Sequence, residues 1–298
     1  MNAPLLFAFP GCAALAHGLC TGLGAARGGI DWRHFPDGES LVALEGDCAG
    51  RDVVIVATLR DPDRLALSLL FAARTARELG ARAVGLVAPY LGYMRQDARF
   101  HAGESVSSVH FAEFLSSAFD WLVTVDPHLH RHDDLRAVFR MPADAVSSVP
   151  LIAEWVRAHV AEPVLIGPDG ESARWLEPLA ARLDARFVVF AKERHGDRDV
   201  RVSAPDLGAL AGRTPVLFDD IASTGQTMIQ AIVRLREAGA PAPVCVAVHG
   251  LFTGDAALWL RAAGAAAIAT TNTIDHSSNA IDVAPPLLEA IARRLRSR

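Results

Sequence analysis

The chain has 298 residues, 51% of them hydrophobic and 21% charged, enough to bury one large core or two smaller ones. Its formal net charge of −5 and pI near 6.1 arise from arginines and acids that alternate rather than form blocks. That balance gives no general pull toward nucleic acid or anionic lipid, which excludes both as main partners.

At the N-terminus an apolar patch covers residues 4–9, but Pro10-Gly11 interrupts it and the first basic residue is Arg27. The basic region of a signal peptide is missing, and no apolar run is long enough to span a bilayer. Cys12, Cys20, Cys48 and Cys245 lack C-x-x-C spacing, which suits reduced thiols. The expectation is a cytoplasmic protein.

Short apolar runs at 53–56, 83–88, 121–125, 163–166, 187–190, 216–218, 244–248 and 267–271 predict strands. Between them, 62–79, 105–118, 171–183, 226–238 and 255–263 read as amphipathic helices. Strands alternating with helices imply parallel α/β architecture, with ligand loops at the strand carboxyl ends. A connection rich in Pro and Ser at 141–150 divides two α/β domains, expected at 1–145 and 146–280. The order of elements is similar in the two halves, as an old duplication would leave it. Residues 281–298 form a last helix, with Pro285-Pro286 at its start and a basic end, expected to pack back on the first domain.

The stretch VLFDDIASTGQTM, 216–228, places Asp219 and Asp220 at the end of an apolar strand and before a helix. Ala222 to Thr227 can offer successive backbone N–H groups and the hydroxyls of Ser223, Thr224 and Thr227 to an anion, with Gly225 allowing close approach. The acids could then bond sugar hydroxyls or hold a hydrated Mg²⁺. A plain helix N-cap by Ser223 or Thr224 with exposed acids is the simpler alternative. A receiver-like phosphoacceptor site would also use paired acids, but predicts one domain rather than two.

Two further features invite chemistry. Lys192 is the only lysine among 29 basic residues. Coding bias explains the arginines, whereas a retained lysine can have a task that guanidinium cannot perform. His128, His130 and His132 alternate beside Asp126, Asp133 and Asp134, a density that suggests a zinc hydrolase. No distant ligand set or second motif supports that, so His130 and His132 read as solvated or subunit-contact residues.

VLFDDIASTGQT resembles the phosphoribosyl-pyrophosphate loop shared by type I phosphoribosyltransferases and ribose-phosphate pyrophosphokinases. HFPDGES at 34–40, APYLGYMRQDARF at 88–100, VTVDPHLHRHDD at 123–134 and IGPDGES at 166–172 resemble successive blocks of the pyrophosphokinases, in the same order. The resemblance implies two type I phosphoribosyltransferase-like domains, each a mostly parallel sheet flanked by helices. It implies transfer of diphosphate from ATP to ribose 5-phosphate, Mg²⁺ as cofactor and a homo-oligomer.

By the same resemblance, Phe35, Asp37, Gly38, Glu39, Arg95 and Gln96 would bind ATP in a first domain that also makes subunit contacts. His128 and Asp169 would hold the metal. AKERHGD, 191–197, would be a mobile catalytic flap running on to Val200, with Lys192 and Arg194 as its catalytic pair. Arg194, Asp219, Asp220, Ser223, Thr224, Gly225, Gln226 and Thr227 would bind ribose 5-phosphate. The residues alone read the Phe-Pro-Asp-Gly of 35–38 equally as a surface turn, and leave a turn or helix cap as the lesser alternative for Asp169. Ser223, Gln226 and the single glycine after Asp169 depart from the family pattern, and the lack of an aromatic pair after His128 points to its shorter, archaeal-like branch. A phosphoribosyltransferase would need the loop but not the ATP blocks. A non-catalytic regulatory relative would not need Lys192, Arg194, Asp169 and His128.

Overall fold

Runs of β-branched residues form the middle of two sheets in the computed structural model, which describes residues 2–129, 131, 134–195, 199–203, 210 and 212–297, with backbone alone at 171, 191–195 and 199–203. The chain divides into two units. The first comprises Met1–Ser147, Thr273–Asp275 and Val283–Arg298.

In chain order the first unit contains β1 (Leu5–Ala8), α1 (Ala13–Leu23), β2 (Ala26–Arg27), β3 (Gly29–His34), β4 (Ser40–Glu45), β5 (Asp52–Val56), α2 (Pro62–Glu78), β6 (Ala83–Ala88), α3 (Ser107–Ala118), β7 (Trp121–Val125) and β8 (Ala143–Val146). Six of these strands form a parallel sheet in the order β2-β1-β5-β6-β7-β8, while β3 and β4 make a separate antiparallel hairpin. Every residue of β5, β6 and β7 is buried, which is why these strands are uninterrupted apolar runs rather than alternating ones.

The second unit, Ser148–Asn272 with His276–Asp282, contains α4 (Val149–His159), β9 (Pro163–Gly167), α5 (Ala173–Leu183), β10 (Phe187–Val189), β11 (Ala191–His195), β12 (Asp199–Ser203), β13 (Thr214–Ala222), α6 (Gln226–Glu237), β14 (Val244–Gly250), α7 (Ala256–Ala263), β15 (Ala267–Thr271) and β16 (Asn279–Ile281). Its parallel sheet has the order β10-β9-β13-β14-β15-β16, and β11 pairs antiparallel with β12. The last helix, α8 (Ala284–Arg296), packs against α1, β7 and β8 of the first unit. There Arg294 forks onto Asp144, with Nε donating to Oδ2 at 2.7 Å.

Both sheets therefore share one winding. The second strand lies on one side of the first and the remaining four on the other, and in each unit the antiparallel hairpin is inserted between the second and third strands. That reversal leaves a crevice between the carboxyl ends of the first and third strands, where doubly wound sheets bind ligands. In the second unit it falls between β9 and β13.

The structure corrects the sequence reading in two places and gives the backbone form of a third. β13 does not stop at the acids: Asp219, Ile221 and Ala222 stay paired with Ala247, His249 and Gly250 of β14, so Asp219 and Asp220 lie inside the strand. The 141–150 connection is not a plain linker, because it contains β8 and the start of α4. The stretch read as a flap, 191–200, includes β11 and the start of β12, with Lys192 opposite Val202 and Arg194 opposite Val200. In the first two cases backbone pairing or helix packing continues into a segment whose composition suggested a loop, and in the ribbon pairing joins 191–195 to 199–203.

Candidate active site

At the β9–β13 crevice, the chain leaves β13 through Ser223 and Thr224 and enters α6. Gly225 holds the N-cap position with φ at +72°, a left-handed conformation that glycine adopts without a Cβ penalty. Gly225 has no side chain with which to cap α6, and Thr224 Oγ1 accepts the Gln226 N–H at 3.5 Å, the limit of a hydrogen bond. The simple N-cap reading of Ser223 or Thr224 is thus not how this helix begins. Its first-turn N–H groups, at the positive end of the helix dipole, remain suited to an external anion.

The acids are deeper than the loop. Asp220 is 6% exposed, and its N–H donates to Asp219 Oδ1 at 3.0 Å. Burial first, then the charges of Asp220 and Asp169, push the Asp219 carboxyl well above the ordinary carboxylate range. The structure accordingly gathers Asp169, Asp219 and Asp220 from the ends of two adjacent strands. Such a group of carboxylates is stabilised by hydroxyl donors or by a hard cation.

Asp169 also acts within its own turn. Its Oδ1 accepts the Ser172 N–H at 3.3 Å, and its backbone carbonyl accepts the Ser172 hydroxyl. A Cβ on Gly167 would lie 2.3 Å from Ser172 Oγ, so the tight turn at the end of β9 needs a glycine there. The turn role and the charge on Asp219 coexist in one residue.

A support that the sequence reading passed over lies behind the loop. Phe252 N donates to Ala222 O at 2.9 Å and Thr253 N to Ser223 O at 3.1 Å. Phe252 has φ of +37°, and its ring tilts against His276 at 4.6 Å. His276 Nδ1 meets Ser278 Oγ at 2.8 Å, which in turn meets Thr270 Oγ1 at 2.8 Å. The available signal was the run TTNTIDHSSN at 270–279, dense in hydroxyls and amides directly after an apolar strand.

In the first unit, Arg95 and Gln96 follow β6 while His128 follows β7, the neighbouring strand, so their loops leave the same end of the sheet. Arg95 is exposed, whereas His128 and Gln96 are half-buried. Gln96 Nε2 donates to Ala98 O at 3.2 Å and to Glu104 Oε2 at 3.3 Å. Phe35, Asp37, Gly38 and Glu39 form the tip of the β3–β4 hairpin: Gly38 N donates to Phe35 O at 2.9 Å and Glu39 N to Asp37 Oδ1 at 3.1 Å. The turn reading of this motif thus describes its backbone, and the tip is exposed. Among the described residues, no hydrogen bond, ion pair or ring contact joins the tip to Arg95 or Gln96.

For Lys192 and Arg194 the backbone alone is described, and positions 192 and 194 fall on one face of the β11–β12 ribbon. His130, His132 and Asp133 lie outside the described residues. Among the described residues no group of three His, Cys, Asp or Glu side chains forms a metal cage. His128 belongs to the first unit and Asp169 to the second.

Residues 5–118 match the N-terminal domain of ribose phosphate pyrophosphokinase, and residues 147–276 match the phosphoribosyl transferase domain. The ribose-phosphate pyrophosphokinase of Halobacterium salinarum is 34% identical over 284 residues, covering 93% of this chain and 97% of that protein. The chain belongs to the ribose-phosphate pyrophosphokinase family. A second member, from Methanopyrus kandleri, is 33% identical over 93% of this chain and 94% of its own length. The crystal structure of phosphoribosylpyrophosphate synthetase from Mycobacterium smegmatis superposes with a TM-score of 0.87 at 25% identity, over the full length of both chains. Both domains of the pyrophosphokinase architecture are therefore present, in the same order. Phosphoribosyltransferase kinship alone would account only for the second.

Proposed function

We propose that the protein is a ribose-phosphate pyrophosphokinase that makes phosphoribosyl pyrophosphate and AMP from ATP and ribose 5-phosphate. The observation that carries this reading is the glycine-started helix α6 that follows Asp219 and Asp220 after a short loop, in a chain whose first half matches the pyrophosphokinase N-terminal domain. The 5-phosphate binds the N–H groups and hydroxyls of Ser223, Thr224, Gly225, Gln226 and Thr227. Asp219 and Asp220 accept hydrogen bonds from the ribose hydroxyls, which fixes the direction of O1.

O1 attacks the β-phosphorus of ATP. A new O–P bond forms as the bond from that phosphorus to the oxygen bridging the α-phosphate breaks; AMP leaves with the bridging oxygen, and the hydroxyl proton passes to solvent. Loose phosphoryl-transfer transition states demand little of a general base. Lys192 and Arg194 stabilise charge on the transferred group, each well-aimed donor contributing about 3–4 kcal/mol by analogy with oxyanion sites. The adenine end is assigned to Phe35, Asp37, Gly38 and Glu39, with Arg95 and Gln96 on the nucleotide from the adjoining loop.

Asp169, Asp219 and Asp220 offer the oxygen ligands that a hard divalent cation prefers, and burial first, then the charges of Asp220 and Asp169, raise the Asp219 pKa. Asp169 and His128 are the residues assigned to Mg²⁺, which when bound would neutralise triphosphate charge. A cytoplasmic homo-oligomer is the assigned state. It is supported by four free cysteines and by family membership, and among the described residues no helix is long and apolar enough to cross a membrane.

The test is release of AMP from ATP by the purified chain with Mg²⁺. Release should require ribose 5-phosphate and match phosphoribosyl pyrophosphate formed. AMP release indifferent to the pentose phosphate overturns the reading.

A further inference from the structure

The two loops assigned to the nucleotide are fastened by a pair that no motif in the sequence singled out. Asp97, directly after Gln96, forms an ion pair through Oδ1 with Arg131 Nη1, three residues after His128. The Asp97 side chain is 2% exposed and that of Arg131 52%. Asp97 Oδ2 is buried with no hydrogen-bond partner among the described residues. The Arg131 guanidinium lies 5.1 Å from the centre of the Phe100 ring, in the same loop as Asp97.

Loop 95–104 is held from within as well. Glu104 Oε2 accepts the N–H groups of Phe100 at 2.9 Å and His101 at 3.1 Å, and Arg99 Nε donates to Glu104 O at 3.1 Å. Those contacts shape the loop but tie it to nothing else. Ser108 N, at the start of α3, donates to Gln96 O at 3.2 Å, and Arg131 supplies a side-chain tie from the segment that carries His128.

A carboxylate this buried, with one oxygen lacking a partner, is a poor stabiliser compared with an apolar pair of the same volume. What such a pair supplies is a fixed register between two segments, because any slip leaves the buried Asp97 carboxylate without its counter-charge. The guanidinium adds a planar face over Phe100, which an ammonium would not reproduce.

We propose that the Asp97–Arg131 pair is a positioning device for the nucleotide half of the site. Arg131, without touching ATP, holds the segment after β7 on loop 95–104 and thereby sets ATP affinity while leaving ribose 5-phosphate affinity unchanged. The proposal rests on the assignment of Arg95, Gln96 and His128 to ATP.

The experiment compares the full chain with Arg131→Gln, Arg131→Lys and the double variant Asp97→Asn/Arg131→Gln. It measures KM for each substrate, kcat, ATP affinity by calorimetry, and Tm. Arg131→Gln should raise KM for ATP roughly tenfold while KM for ribose 5-phosphate stays within about twofold. Arg131→Lys should recover only part of the loss. The double variant strands no charge, so it should regain the parent Tm yet keep the raised KM for ATP.

An Arg131→Gln variant with KM for ATP within about twofold of the parent overturns the proposal, as does an equal rise in both KM values. A double variant that regains both Tm and ATP affinity shows that the pair acts through stability alone, and also overturns it. If Arg131→Gln fails to fold, the other two variants carry the comparison. If the parent makes no phosphoribosyl pyrophosphate, the proposed function fails, while the calorimetric ATP affinities still decide the role of the pair.

Discussion

Gly225→Ala probes the phosphate cradle through its backbone. An ideal Cβ at Gly225 would stand 3.4 Å from Leu260 Cγ and 3.6 Å from Cδ1, a contact that a flexible leucine tolerates. The cost is therefore conformational, about 1–2 kcal/mol for an L-residue held in the left-handed region. It can be expressed in two ways. If the loop keeps its shape, the folded state carries the whole cost and Tm falls by roughly 2–8 °C, with the affinity for ribose 5-phosphate unchanged. If the loop relaxes, Tm is retained and the Kd for ribose 5-phosphate rises about five- to thirtyfold. The two losses, each converted to free energy, should sum to about 1–2 kcal/mol. Calorimetric melting and isothermal titration with ribose 5-phosphate, run on the same preparation, measure both. Gly225→Val adds branching at the same point and should push the loss toward binding. Unchanged Tm and Kd in the alanine variant refute a cradle that depends on positive φ. An unchanged Kd in the valine variant refutes phosphate binding at this loop.

Lys192→Ala should lower kcat about 10²- to 10³-fold without changing Tm, and undiminished turnover removes the lysine from catalysis. Asp219→Asn should have opposite effects on stability and function. The folded carboxyl keeps its proton to higher pH than the unfolded one, so stability of the free protein falls as pH rises from the ordinary carboxylate range through the raised folded value. The variant should melt higher than the parent at neutral pH, with a flatter dependence of Tm on pH, and bind ribose 5-phosphate more weakly. A Tm at or below the parent's across that range contradicts the charge crowding. Arg294→Ala should cost roughly 1.5–3 kcal/mol in urea unfolding, because the fork to Asp144 is largely shielded from solvent at both ends. A loss under about 0.5 kcal/mol would place that pair with ordinary surface bridges.

Strands legible in the sequence were those made of uninterrupted apolar runs, most of them buried on both faces and β10, at the sheet edge, only half-buried. β6, β7 and β15 begin and end where their apolar runs do, and α2 and α6 fall within a residue of their amphipathic patterns. The hairpins were not legible, since GIDWRH and SLVALE are half-exposed and mixed, and β11 carries Lys, Glu, Arg and His; pairing rather than composition makes these segments strands. β1 has four residues and reads only as an apolar patch, while the Ala- and Gly-rich α1 has weak polarity between its faces. α4 was absorbed into the supposed linker although Pro150 stands in its first turn. Of the candidate site, the loop 223–227 could be read from its own residues because anion binding there uses backbone and hydroxyl groups in sequence. The proximity of Asp169 to Asp219 could not, because it arises from two strands made adjacent by the winding of the sheet. Asp97 and Arg131 were hidden for the same reason.

The path of α8 sets an order on the making of the molecule. Met1–Ser147 emerges from the ribosome first, yet the helix that covers part of it belongs to Val283–Arg298. At about 5–20 residues per second, that partner arrives roughly 7–30 s later. Until then Gly18 and Gly22 of α1, which lie against Ala284 and Leu288 in the finished protein, face no helix. The first unit is thus completed only after the second has been made, and loss of α8 would leave its damage on α1, β7 and β8.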